Sequence, residues 1–341
     1  MRHRPAGRGQ NSQLPSAHTC ALCELMQDQT QKSRRVTILG AGSIGLSFAA
    51  AFRDAGAAVT LVDPDAERRA AVLDGLAGQQ SAIELAGLAR GKHGSVDVVD
   101  QPADSVSLSD MVLECGPENV DAKRAIFQDL LARTDKRTVL ATASSAITMS
   151  QIVPDEAEQQ RCLVAHPVNP PAILRIIELV PAPGTAPEAV SAAAKLFQGF
   201  GFETVELGQE IEGFVLNRLQ SAVLREAYRL VDEGVTDADG IDAIMRMGLG
   251  PRWALSGPFE TAELNTPGGI KAHAARMGPA YKRIGEARGE IVDWNAALVD
   301  SIDAQRRQHI AVDELPKRAK WRAGAVAKLV AERDKLLRDD G

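Results

Sequence analysis

A histidine at the end of an apolar strand, with an acid buried twelve residues later, is the pattern with the most chemistry in this sequence. His166 follows Cys162-Leu163-Val164-Ala165 and opens the segment HPVNPP, where Pro167, Pro170 and Pro171 stiffen an extended loop. Glu178 lies inside the otherwise apolar run IIELV. A carboxylate there is costly unless partnered. A neighbouring imidazole would satisfy it, and the carboxylate would fix the imidazole's tautomer and favour its protonated form. Such a pair suits a general base that takes the proton of an alcohol. Spacing alone also admits a buried structural histidine beside an unrelated edge-strand glutamate.

The second feature is GAGSIG. Gly40, Gly42 and Gly45 directly follow the apolar run VTIL and open a helix, and Asp63 ends the next strand 18 residues after Gly45. This is the context of a dinucleotide fingerprint. Gly40 allows the tight turn, Gly42 lets backbone approach a pyrophosphate, and Gly45 lets the helix pack on the sheet. Ser43 and Ile44 offer N–H groups at the helix start. Asp63 would accept hydrogen bonds from the adenosine ribose and repel a 2′-phosphate, so NAD is expected rather than NADP. Arg68 and Arg69, soon after, read as a solvated helix face.

Both features sit on a regular alternation. Short apolar runs at 36–39, 58–62, 96–99, 111–115 and 138–141 read as strands, with helices at 43–55 and 119–133. Further strands fall at 162–165, 176–180 and 204–205, and a helix at 187–199. Alternating strands and helices imply a doubly wound, Rossmann-type α/β sheet. From Gly213 the period becomes helical, with Phe214, Leu216, Leu219, Val223, Leu224, Ala227, Leu230 and Val231 at 3,4 spacing. Helices are expected at 238–247, 258–264, 294–309 and 319–337, and no strands. The expected organisation is a leader over 1–34, an NAD-binding Rossmann domain over 35–209, and an all-helical substrate and dimerisation domain over 210–337.

Composition narrows the function. The chain has 39 basic and 45 acidic residues, a net charge of −6, and 4% aromatics. An acidic, aromatic-poor chain is a poor match to nucleic acid. Four cysteines in 341 residues make no disulfide scaffold and suit a reducing cytoplasm. Cys115 and Cys162, in expected strands, read as core residues. The most apolar stretch, 36–52, is short for a membrane span and holds the glycine motif. The leader lacks a secretory h-region and reads as disordered, with Met26 an alternative start. Its Cys20, Cys23 and His18 supply too few ligands for zinc, and no metal site is expected.

Long ungapped segments then carry a resemblance: VTILGAGSIG, ECGPENVDAK, LVAHPVNPP, EIEGFVLNRLQ, EAYRLVDEGV and GLGPRWALSGPFET. The chain resembles the 3-hydroxyacyl-CoA dehydrogenase superfamily over about residues 35–335, and within it the lambda-crystallin group of L-gulonate 3-dehydrogenases. The resemblance implies that His166 is the catalytic base and Glu178 the acid that orients it. It implies that Ser144 and Asn217 hold the substrate oxygen, that Glu118 and Lys123 contact the cofactor, and that Asn169 lies near the nicotinamide. By themselves Glu118 and Lys123 read as a pair on a solvated helix. The resemblance also implies a homodimer.

A coenzyme A thioester needs cations for the coenzyme's phosphates, and the stretch after the second strand carries Arg68 and Arg69 but lacks the family's lysines. A free acid needs one cation for its carboxylate, and the resemblance points to Arg252. The L-carnitine group has Asp where this chain has Asn217, a departure that disfavours carnitine. The expected activity is therefore NAD-dependent oxidation of a short, L-gulonate-like 3-hydroxy acid to the 3-oxo acid. The alternatives are a fatty-acid-type L-3-hydroxyacyl-CoA dehydrogenase and a non-catalytic NAD(H)-binding or crystallin-like structural protein.

Overall fold

The computed structural model describes residues 33–102, 104–266, 269–288 and 311–339, with 297 and 308 as isolated positions. The expected leader features (His18, Cys20, Cys23 and Met26) and the expected helix at 294–309 lie outside the described residues.

Eight strands form one sheet: β1 (Arg35–Leu39), β2 (Ala58–Val62), β3 (Ser95–Val99), β4 (Met111–Glu114), β5 (Val139–Thr142), β6 (Cys162–Pro167), β7 (Ile176–Pro181) and β8 (Glu203–Glu206). Their order is β3-β2-β1-β4-β5-β6-β7-β8, parallel throughout except for the antiparallel β6–β7 pair. Strand order reverses between β1 and β4, and this is the crevice where ligands bind in such sheets.

The inner strands read as continuous apolar runs because both faces are covered. In β4, Met111 and Leu113 join one core and Val112 the other; in β6, Leu163 and Ala165 join the first and Cys162 and Val164 the second. The first core belongs to α1 (Ser43–Asp54) and α2 (Val72–Leu85), the second to α3 (Val120–Arg133), and the first again to α4 (Pro187–Gly199). Phe48 and Phe52 of α1 meet Phe197, Phe200 and Phe202 with ring centroids as close as 4.3 Å. Each such pair contributes about 0.5–1.5 kcal/mol beyond area burial. The edge strands β3 and β8 carry exposed polar residues, which discourages further pairing.

The sequence did not show α2. Gly75 and Gly78 weaken its pattern, yet a Cβ at Gly75 would lie 3.0 Å from Leu46 Cδ1, so close α1–α2 packing needs a small residue there. Strand β4 ends one residue early, at Glu114, and places Cys115 in the following loop.

The helical half comprises α5 (Leu216–Asp232), α6 (Ala238–Ile244), α7 (Gly250–Leu264), α8 (Gly269–Arg288) and α9 (Leu315–Asp339). A π-helical turn, Met245–Leu249, follows α6. The α7 segment breaks at Gly257 (φ 58°), and Pro258 restarts it, so the expected helix at 258–264 is its second piece. The α8 helix was not expected, since Gly278 and Pro279 interrupt its pattern. From α9, Ala327 and Val330 pack on Ala86 and Ile173, returning the chain's end to the α/β half. Among the described residues, no helix is long and apolar enough to cross a membrane.

Candidate active site

The glycine turn is built as the motif requires. Gly40 has φ 110°, and a Cβ there would lie 2.7 Å from the Cys115 carbonyl oxygen. A Cβ on Gly45 would lie 1.9 Å from the Gly40 oxygen, so that position closes the helix onto the strand. Among the described residues, no atom lies within 4 Å of a Cβ placed on Gly42. The first turn of α1 carries no acid, and no side chain caps it. The open N–H groups and positive end of the helix thus suit a pyrophosphate. Asp63 is buried, accepting from Ala41 N (2.8 Å) and Asp65 N (2.9 Å), with Arg68 Nη1 3.8 Å from its carboxylate. A groove of about 910 Å³ runs past Gly40, Gly42, Ser43, Ile44 and Asp63, with Pro64, Pro102, Ile126 and Leu130 as apolar walls. These residues fit an adenine dinucleotide.

The groove shares Ile44, Cys115 and Gly116 with a second cavity of about 520 Å³, lined also by Glu118, His166, Asn169, Asn217 and Gln220. The β6–β7 register places His166 opposite Glu178, and residues 162, 164 and 166 share a face with 178 and 180. Nδ1 of His166 lies 2.6 Å from Glu178 Oε2. The other oxygen, Oε1, accepts from Val215 N and Leu216 N, each at 2.9 Å. Glu178 therefore holds both the imidazole and the start of α5. Burial raises its carboxyl pKa, but the His166 hydrogen bond and the two N–H donors outweigh burial and hold it below the usual 4.5. Fully buried Phe214 packs on the His166 ring, with centroids 5.2 Å apart. It adopts φ 47° immediately after Gly213 (φ 76°), so α5 begins only at Leu216. The Asn217 amide donates to Ser145 O (2.8 Å), fixing its carbonyl oxygen relative to the cavity.

One sequence expectation needs correction. Lys123 is not on a solvated face: it is buried, with Nζ 2.7 Å from Glu114 and 3.5 Å from Glu118. The reason is Glu114, a fully buried carboxylate that sequence reasoning missed. It also accepts from Thr142 Oγ1 (2.6 Å) and Gly116 N (2.7 Å). Its signal was present, as an acid ending the apolar run MVLE nine residues before a lysine. The Ser144 hydroxyl, which the resemblance places on the substrate oxygen, faces Glu118 here. It donates to Glu118 Oε1 (2.6 Å), accepts from Ile147 N (2.8 Å), and is buried. Ser145 N and Ala146 N donate to the same Glu118 oxygen at 3.0 Å. Burial raises the Glu118 pKa, yet these bonds and the Lys123 charge bring it below the usual value. Arg252 is exposed on α7 and is not among the described residues that line either cavity. Cys115 lines both cavities; burial, then the Glu114 charge, pushes its thiol far up, and it stays protonated.

Comparisons with known proteins place the chain in a family. A family model for the NAD-binding domain of 3-hydroxyacyl-CoA dehydrogenase matches residues 35–211, and the model for its C-terminal domain matches 213–308. The chain is 35% identical over 309 residues to a lambda-crystallin homolog of Bos taurus, covering 88% of this chain and 96% of that one. It is 34% identical over 308 residues to an L-carnitine dehydrogenase of Streptomyces griseus, covering 90% and 88%. A solved 5-formyl-3-hydroxy-2-methylpyridine 4-carboxylic acid 5-dehydrogenase shares the fold, with a TM-score of 0.77 at 22% identity over 89% of this chain and 99% of that one. With both halves matched and the cofactor groove in place, the chain belongs to the 3-hydroxyacyl-CoA dehydrogenase family of NAD-dependent oxidoreductases.

Proposed function

We propose that this enzyme oxidises the 3-hydroxyl of a short, free, L-gulonate-like 3-hydroxy acid to the 3-oxo acid, with His166 and Glu178 as the general-base dyad. The observation that carries the reading is the 2.6 Å His166–Glu178 contact on the wall of a cavity continuous with the dinucleotide groove. Glu178 accepts the Nδ1 proton, which leaves Nε2 free to take the substrate's hydroxyl proton. The nicotinamide, when bound, supplies the hydride acceptor. Asn217 holds the substrate oxygen as its charge changes, and Asn169 lines the same wall. Ser144 joins Asn217 once its hydroxyl turns from Glu118.

A free acid is favoured over a coenzyme A thioester by how the arginines after β2 are used. Arg69 donates to the Asp63 and Pro64 carbonyls (both 2.8 Å), and Arg68 lies against Asp63. Arg69 is thus committed to backbone carbonyls, and Arg68, 58% exposed, lines the dinucleotide groove. The substrate carboxylate is assigned to Arg252, which reaches a cavity only through a different placement of α7 or from a second copy. The homodimer is supported by the apolar surface of the helical half: Leu219, Met247 and Phe259 are 59%, 81% and 81% exposed. A cytoplasmic location is in keeping with the cysteine usage.

The test is NADH formation at alkaline pH with L-gulonate, 3-hydroxybutyrate, L-carnitine and 3-hydroxybutyryl-CoA. Turnover of a free acid supports the reading. Turnover of the thioester alone moves the enzyme to the fatty-acid branch and removes the role of Arg252. NADH binding without turnover of any hydroxy acid returns the non-catalytic reading.

A further inference from the structure

The array of Glu114 and Lys123, both buried, and Glu118, whose side chain is 39% exposed on the cavity wall, does more than position a side chain. Glu114 is fully buried and uses both oxygens as acceptors, toward Lys123 Nζ, Thr142 Oγ1 and Gly116 N. That pattern is the one a carboxylate makes. Glu118 sits on the cavity wall, with one oxygen receiving Ser144 Oγ and two backbone N–H groups and the other 3.5 Å from Lys123 Nζ. Two carboxylates share one ammonium, which leaves a net charge of −1. No lysine or arginine is among the residues lining this cavity, and behind His166 lies a further carboxylate, Glu178. The charges of Glu114 and Lys123, set in the interior, are screened far less than surface charges, and that of Glu118, at the cavity wall, is screened in part.

We propose that the Glu114–Lys123–Glu118 array is a redox-state selector: its uncompensated negative charge favours the oxidised dinucleotide over the reduced one. The nicotinamide ring carries one positive charge in NAD+ and none after it accepts a hydride, with two electrons and one hydrogen nucleus leaving the substrate carbon. A fixed negative potential therefore stabilises NAD+ relative to NADH. It lets product cofactor leave and poises the site for alcohol oxidation. Glu114, which need not touch the cofactor, acts through this field and through Lys123. The inference rests on the cofactor assignment and is independent of the substrate.

The experiment measures the dissociation constants of NAD+ and NADH, by titration calorimetry, for the full chain and three isosteric variants. Glu114→Gln and Glu118→Gln each remove one negative charge. Asp121→Asn removes a charge from the exposed first turn of α3, where the side chain is 85% exposed. The Kd ratio of NADH to NAD+ falls on the order of five- to tenfold in Glu114→Gln, as one elementary charge about 12–16 Å away at an effective dielectric of about 20 predicts, and by at least about threefold in Glu118→Gln, whose partly exposed carboxylate is screened more strongly but lies on the cavity wall. It stays within about twofold in Asp121→Asn, where solvent screens the change. A purely structural role weakens both forms equally, so an unchanged ratio in the Glu114 and Glu118 variants overturns the proposal. If Glu114→Gln does not fold, the Glu118→Gln ratio decides alone. A wild-type chain that binds neither form breaks the cofactor assignment instead.

Discussion

Glu178 joins the imidazole to the start of α5, and its replacement separates two roles in a single experiment. Its carboxylate accepts three hydrogen bonds: His166 Nδ1 at 2.6 Å, and Val215 N and Leu216 N at 2.9 Å. The residue is 7% exposed. Glu178→Ala leaves three donors without their acceptor, and stranding donors in such a place costs about 3–5 kcal/mol. Glu178→Gln keeps one oxygen for the helix start and loses about 1–2 kcal/mol. Its amide N–H, however, now faces Nδ1 and forces that nitrogen to accept. Nε2 then carries the proton, and the base is lost, which lowers kcat by about 10³- to 10⁴-fold.

Urea unfolding by circular dichroism reads the first effect, and initial rates of NADH formation read the second. The sign with pH is fixed as well. Against the raising effect of burial, the His166 bond and the N–H donors hold the Glu178 carboxyl below 4.5 in the folded protein. Its stabilisation is therefore complete above the unfolded value and is lost as pH falls through the lower folded value. The stability gap between wild type and Glu178→Ala shrinks on acidification below about pH 4.5. A Glu178→Ala chain within about 1 kcal/mol of wild type at neutral pH, or a Glu178→Gln enzyme within tenfold of wild-type rate, would refute the reasoning.

Gly42→Ala adds a Cβ with no described atom within 4 Å and is expected to leave thermal stability nearly unchanged, yet to weaken NAD+ binding by more than about tenfold by blocking the close approach of the pyrophosphate. Gly45→Ala sets a Cβ against the Gly40 oxygen and lowers the melting temperature; if the two variants behave alike, the roles given to these glycines are wrong. Asn217→Asp places a carboxylate oxygen against the Ser145 carbonyl, where an amide N–H now donates, and lowers kcat by about 10²-fold with little change in NAD+ affinity. If the proposed homodimer forms, light scattering is expected to give a dimer mass that Phe259→Glu shifts toward monomer; a monomeric wild type contradicts the proposed pairing.

The parts of the fold legible in the sequence were those fixed by local pattern. VTIL followed by GAGSIG marks a strand, a turn and a helix because each glycine has a steric reason. Both-face burial made β4 to β7 stand out as apolar runs. The dyad was legible because an acid inside IIELV needs a partner, although the antiparallel register that makes 166 and 178 neighbours is a tertiary fact. Helices α2 and α8 were hidden because Gly75, Gly78, Gly278 and Pro279 sit in them for packing or as breaks that neighbours tolerate. The burial of Lys123 was hidden because Glu114 meets it only when β4 and the start of α3 converge. The place of Ser144 was known only by resemblance, and the structure commits its hydroxyl to Glu118. The placement of Arg252 relative to a cavity is decided by α7, which no local pattern specifies.

The most direct measurement is the turnover of the best hydroxy-acid substrate by full-length wild type and His166→Gln, alongside NADH titration of both. The account predicts NADH affinity preserved within about threefold and turnover reduced by at least about 10³-fold, because the cofactor groove stays intact while the Nε2 proton acceptor is gone. A His166→Gln enzyme that keeps turnover within tenfold of wild type would contradict it and place the base elsewhere.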